Sequence, residues 1–250
     1  MIKPTVLVTG GARRIGAAIS RCFGQAGWHV VIHCNRSLAD ATELAEQLPS
    51  AEVLQCDLAD GVAATQMIAD VAERQPDWRV LINSAAVFRD DNVHSLAPAV
   101  FDEAMAINAA RPAQLAQAFL QHSRTPQGRR VIQLTDQKIA NPNPDFFSYT
   151  MSKHAVAAAQ TMLAIAAAPQ DRIYALAPGA ILPSFDQTSD EAEISHRMNP
   201  LHRRTTEGDV AQAALFLATG PLANGQTLFL DSGQHLMPQP RDVIFLARGN

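Results

Sequence analysis

Pro4-Thr5-Val6-Leu7-Val8-Thr9 runs straight into Gly10-Gly11-Ala12-Arg13-Arg14-Ile15-Gly16. The first six residues form a short apolar run rich in β-branched side chains, which reads as a strand buried on both faces. The glycines read as a tight turn that opens a helix continuing to about Gly24. Such a turn lets a pyrophosphate approach a helix N-terminus, where free N–H groups and the helix dipole favour an anion. Gly10, Arg13, Arg14, Ile15 and Gly16 are therefore candidate cofactor contacts.

The rest of the chain repeats the alternation. Apolar runs at Trp28–His33, Glu52–Cys56, Arg79–Asn83, Arg130–Thr135, Arg172–Ala177 and Gln226–Leu230 read as strands. Helical spacing fills Leu38–Leu48, Val62–Arg74, Ala99–Gln121, Phe147–Ala168 and Glu207–Ala218. This order predicts one α/β domain over 1–250: a Rossmann-type, doubly wound parallel sheet of about seven strands with helices on both faces. Residues 180–206 read as irregular, and 234–250 as a tail beyond the last strand.

Composition narrows the class. The 250 residues are 47% hydrophobic with a formal charge of −4, so there is material for a full core and no basic block for nucleic acid. No apolar run has the length of a membrane span. Cys22, Cys34 and Cys56 lack metal-ligand spacing, so no metal is expected. The odd count, with no signal-peptide pattern after Met1, points to free thiols in a reducing, cytoplasmic compartment.

Three positions carry chemistry. Tyr149 and Lys153 stand at i and i+4 on one helix face, where an ammonium beside a phenol lowers the phenol's pKa. Lysine is scarce: Lys3, Lys138 and Lys153 are the only three among 20 basic residues. Asp136 precedes Tyr149 by thirteen residues and reaches the same end of the sheet through the loop containing Asn141-Pro142-Asn143-Pro144. The second strand ends at His33-Cys34-Asn35-Arg36-Ser37, without the carboxylate that would take a ribose diol. His33, Asn35, Arg36 and Ser37 suit a 2′-phosphate instead, which favours NADPH over NADH. Asp57 and Leu58 after the third strand, and Asn83, Ser84 and Ala85 after the fourth, stand where an adenine and the cofactor backbone would pass.

Together these residues resemble the short-chain dehydrogenase/reductase family over nearly the whole chain. The resemblance rests on Thr9-Gly10 with Ile15-Gly16, Asp57-Leu58, Asn83-Ser84-Ala85, Asn108, Tyr149 with Lys153, Pro178-Gly179, and Asn224-Gly225-Gln226 before a final strand. It implies Tyr149 as acid/base, Lys153 on the nicotinamide ribose, Asn108 supporting a water beside the lysine, and Thr135, Pro178, Gly179 and Ile181 along the cofactor. It also implies that 180–206 is a substrate lid and that the protein is a homotetramer. Asp136 replaces the family's usual Ser, and Arg14 stands where the turn usually has a further Gly. Both changes resemble the pteridine reductase and dihydromonapterin reductase branch. That branch's catalytic Asp, Tyr and Lys match Asp136, Tyr149 and Lys153, and its stacking aromatic matches Phe88. Ser84 and Ala86 depart from the branch pattern, and Ala86 removes one hydroxyl.

The resemblance implies NADPH-dependent reduction of a C=N bond in a dihydropterin, with Arg14, Phe88, Asp136 and Tyr149 at the substrate. A carboxylate suits a ring edge rich in N–H donors, whereas a Ser suits a carbonyl oxygen. The alternatives are a general carbonyl reductase and a non-catalytic NADP-binding sensor. Asp136 and Arg14 argue against the first, and the intact Tyr149/Lys153/Asn108 set against the second. The segment Val243-Ile244-Phe245-Leu246 is expected to lie against a neighbouring subunit or that subunit's active site. His94, His154 and His196 read as surface or lid residues without a role.

Overall fold

A computed structural model of the chain describes residues 2–184 and 187–249. Phe185 and Asp186 of the expected lid, Asn250 of the tail, and Met1 lie outside the described residues.

Seven strands form one parallel sheet: β1 (Thr5–Thr9), β2 (His29–Cys34), β3 (Ala51–Gln55), β4 (Trp78–Asn83), β5 (Arg130–Leu134), β6 (Arg172–Pro178) and β7 (Thr227–Leu230). Their order is β3-β2-β1-β4-β5-β6-β7, and every pairing is parallel. β1 is buried at all five positions, as expected for a strand covered on both faces.

The helices are α1 (Arg14–Gln25), α2 (Leu38–Gln47), α3 (Gly61–Arg74), α4 (Pro98–Ala104), α5 (Arg111–His122), α6 (Phe147–Ala166), α7 (Ser189–Ser195), α8 (Glu207–Thr219) and α9 (Val243–Ala247). One core packs α1, α2 and α8 against the sheet through residues such as Ile19, Phe23, Leu44 and Leu217. The other packs α3, α5 and α6 through Ile68, Leu115, Phe119 and Ala164. Cys22 and Cys34 are buried, Cys56 is half-buried, and all three are free thiols. Among the described residues, no helix is long and apolar enough to cross a membrane.

Three stretches differ from the sequence reading. The helical region expected over 99–121 is divided: between α4 and α5 the chain widens into a π-type segment, Met105–Ala110. That widening inserts extra backbone into the turn and turns Asn108 inward. The irregular 180–206 segment contains α7, whose N-terminus is a capping box between Thr188 and Glu191. The tail carries α9. It folds onto its own chain, where Arg248 pairs with Glu191 of α7 at 3.0 Å and Arg241 pairs with Asp145 at 2.8 Å. These ion pairs hold the tail against its own chain.

Candidate active site

The strand order reverses between β1 and β4, and ligands of open α/β sheets bind outside the carboxyl ends of the strands at such a point. A cleft of about 770 Å³ opens there. The loops after β1 to β6, the 180–206 segment and the tail form its walls.

The glycine turn is built by close approach. Gly10 has φ 63°, and a Cβ on it would sit 3.0 Å from Ala85 Cα. A Cβ on Gly16 would fall 2.1 Å from the Gly10 carbonyl oxygen, so only hydrogen fits there. Thr9 fastens β1 to β4, its hydroxyl accepting from the Ser84 and Ala85 N–H groups at 3.0 and 3.1 Å. Arg14 is a non-glycine residue at φ 52°, in the left-handed region that costs an L-residue about 1–2 kcal/mol. Its guanidinium reaches the Pro183 carbonyl at 3.1 Å. Arg14→Gly is expected to raise stability to urea by about 0.5–1 kcal/mol while releasing that contact. A less stable variant would mean that the Arg14–Pro183 bond outweighs the backbone strain.

The residues after β2 separate into different tasks. His33 is 1% exposed and both its nitrogens are engaged: Nδ1 accepts from the Gly10 N–H, and Nε2 donates to the Cys56 carbonyl, each at 3.1 Å. Burial pushes its pKa down to about 4. His33 is therefore a neutral strut beneath the glycine turn, and it borders the cleft. Arg36 is exposed on the cleft wall. Arg13 also borders the cleft and pairs with Asp40 at 2.7 Å. Asn35 donates to Asp57 at 3.1 Å. Leu58, Ser84, Ala85, Thr135, Pro178, Gly179 and Ile181 all border the cleft.

Ser37, Asn83 and Asn108 do not border it. Ser37 precedes α2 as its N-cap residue. Asn83 is buried and donates to Gln133 at 2.9 Å and to the Pro112 carbonyl at 3.1 Å. Asn108 holds both backbone groups of Val87, at 2.8 and 2.9 Å, and donates to Ser152 at 3.1 Å. It braces the segment that carries Phe88.

At the floor of the cleft, Tyr149 donates its hydroxyl to Asp136 Oδ2 at 2.8 Å. The thirteen-residue spacing thus brings these two side chains into direct contact. Asp136 Oδ1 accepts from the Lys138 N–H at 2.9 Å. Tyr149 is placed by an unusual helix start: Phe146, the residue before α6, has φ 53° and no side-chain cap. Asp91, from the loop after β4, supplies the missing acceptor and takes the Ser148 N–H at 3.1 Å.

The expected acidification of Tyr149 is not found. Lys153 Nζ donates to the Leu134 carbonyl at 2.6 Å and stands 5.4 Å from the centre of the phenol ring. Burial lowers Lys153 to about 8. Burial and the adjoining Asp136 carboxylate hold the Tyr149 phenol well above its ordinary range. Burial likewise raises Asp136. The phenol is therefore a neutral donor to a carboxyl group that holds its own proton more tightly than usual.

Phe88 stacks on Phe146 with ring centres 4.3 Å apart and meets Tyr149 edge-on at 4.7 Å. Phe146 in turn stacks on Phe245 of α9 at 5.9 Å. Several cleft residues have no local sequence signal, including Gln234 and Asp242. His196, expected on the surface or lid, is 3% exposed in the cleft wall. Lys138 is 3% exposed, and the scarcity of lysine is the one hint that it has a special place.

The family model described as Enoyl-(Acyl carrier protein) reductase matches residues 10–235. The chain belongs to the short-chain dehydrogenase/reductase family. Among solved structures, FolM alternative dihydrofolate reductase 1 from Brucella canis, complexed with NADP, is 35% identical with a TM-score of 0.89. The match covers 96% of this chain and 97% of that one. Among curated relatives, the granaticin polyketide synthase putative ketoacyl reductase 2 of Streptomyces violaceoruber is 28% identical, covering 94% of this chain and 97% of its own. The 3-oxoacyl-[acyl-carrier-protein] reductase FabG of Staphylococcus aureus is 25% identical, covering 93% and 98%. The family's oxidoreductase chemistry therefore extends to this chain.

Proposed function

We propose that this protein is an NADPH-dependent reductase of a C=N bond in a dihydropterin-type ring. The observation that carries the reading is the Tyr149–Asp136 hydrogen bond at 2.8 Å in a cleft walled by Phe88. The 35% identity to an alternative dihydrofolate reductase supports the same substrate class.

The residues fit the cofactor. Gly10 and Gly16 let the turn pack directly on Ala85 and on its own backbone, which brings the start of α1 to the cleft wall, where a diphosphate would sit. Exposed Arg36, with no acid at the end of β2, suits a 2′-phosphate. Lys153, Thr135 and the Pro178–Ile181 segment would hold the nicotinamide half. When bound, NADPH supplies the hydride.

The chain's own residues handle recognition and the proton. Phe88 offers an aromatic face to a flat ring. Asp136 accepts from the N–H groups of a pterin edge or, protonated, gives its proton to the ring nitrogen. Tyr149, already bonded to Asp136, passes a proton along the same line. The raised pKa of Asp136 keeps more of it in the acid form near neutral pH, as a donor needs.

A second reading, reduction of a 3-oxoacyl thioester, is favoured by the ketoacyl reductases among the curated relatives. NADPH oxidation measured with dihydropterins and with 3-oxoacyl thioesters separates the two. Turnover of a dihydropterin that collapses in Asp136→Ser is the expected result. Oxoacyl turnover that survives or rises in Asp136→Ser, with no pterin turnover, would replace the first reading by the second.

A further inference from the structure

The tail brings a charge into the cleft from far along the chain. Asp242 Oδ2 meets Lys138 Nζ at 2.8 Å, and the two side chains are 9% and 4% exposed. Lys138 also donates to Asn143 at 2.8 Å and lies 5.6 Å from the centre of the Phe146 ring. Its backbone N–H is the one that holds Asp136 Oδ1. The Asp242 N–H donates to Asp145 at 2.8 Å, the same carboxylate that takes Arg241. The loop from Asp136 to Tyr149 is thus tied to the tail at two points, Lys138 and Asp145.

We propose that Asp242 and Lys138 are positioning residues that fix this loop and balance the charge facing the Asp136–Tyr149 pair. The proposal rests on the reading of Asp136 and Tyr149 as the proton-carrying groups. Alone, the Lys138 ammonium would favour the Asp136 carboxylate. Alone, the Asp242 carboxylate would disfavour both ionised forms, and it already acts to raise Tyr149. Paired at 2.8 Å, they set opposite charges beside the catalytic pair, Lys138 favouring the Asp136 carboxylate and Asp242 opposing ionisation of Tyr149.

Other charges near the pair are accounted for. Lys153 on α6 faces Asp136 and favours its carboxylate. Asp145 and Arg241 neutralise each other, as do Glu103 of α4 and Arg89. Arg14 reaches the Pro183 carbonyl, and His196 is held neutral, its pKa lowered to about 4 by burial. Asp91 is engaged at the start of α6.

The test is a carboxyl NMR titration of Asp136, its signal identified by its loss in Asp136→Asn, run beside the pH profile of kcat/KM. Asp242→Asn is expected to move the Asp136 titration and the matching limb of the profile down by about one pH unit. Lys138→Gln is expected to move both up. Movements in opposite directions separate charge balance from general damage to the fold. Coincident curves in both variants, or shifts in the same direction, would overturn the proposal. The double variant Asp242→Asn/Lys138→Gln covers the case in which a single variant does not fold. It is expected to titrate near the parent yet lose about tenfold in kcat/KM from the loosened loop, and parental kcat/KM would also overturn the proposal. The titration needs no substrate, so it stands even if no dihydropterin is turned over.

Discussion

Asp136→Asn loses about 10²–10⁴-fold in kcat for dihydropterin reduction and gains stability at neutral pH. The activity loss follows from removing the one group that both grips the N–H edge and holds a transferable proton. The stability gain follows from burial. Asp136 has its folded-state pKa raised, chiefly by desolvation. Its contribution to stability is therefore fully present below the unfolded-state value and is lost as pH rises through the folded-state value. Asn cannot ionise, so the variant escapes that loss. It also keeps an acceptor for the Lys138 N–H, and the Tyr149 hydroxyl can turn to accept from the new amide. Urea unfolding of both proteins across pH reads the effect. The two curves should converge in acid and part as pH rises. A variant less stable than the parent at neutral pH would show that the native carboxylate is better satisfied than its burial implies.

Ending the chain after Pro240 destabilises it by about 3–5 kcal/mol, because the truncation leaves the Lys138 ammonium buried without its counter-charge. The same cut removes Val243 and Ile244, both under a tenth exposed, and the Arg241–Asp145 and Arg248–Glu191 pairs. Adding Lys138→Met to the truncated chain is expected to recover a large part of the loss, since an apolar side chain needs no partner. Urea unfolding of the four proteins forms a cycle. If Lys138→Met brought no recovery in the shortened chain, the ammonium would not be what the tail protects.

The alternation of apolar strands and periodic helices made the sheet and its two helical layers legible, because each element announces itself locally. The meeting of Asp136 and Tyr149 was legible for a related reason: one loop joins them. The departures from the sequence reading arose where tertiary contact overrides local pattern. Nothing beside Asn108 marks the widened turn that points it at Val87. The sequence shows His33 at a strand end but not that both its ring nitrogens are taken up beneath Gly10. The acidified phenol was inferred from helical spacing alone, whereas Lys153 is drawn to the Leu134 carbonyl. Lys138 and Asp242 are too distant in the chain for any motif to join them. The Thr188-x-x-Glu191 pattern that begins α7 is a signal that could have been used.

The placement of the lysines has a practical consequence. Lys138 and Lys153 are both buried in the cleft. Lys3 is exposed just ahead of β1, at the end of the sheet opposite the cleft. A reagent that couples lysine side chains under native conditions will therefore attach this protein to a bead or an electrode by Lys3, with the cleft facing the liquid. Occupancy of the cleft should leave that coupling unchanged.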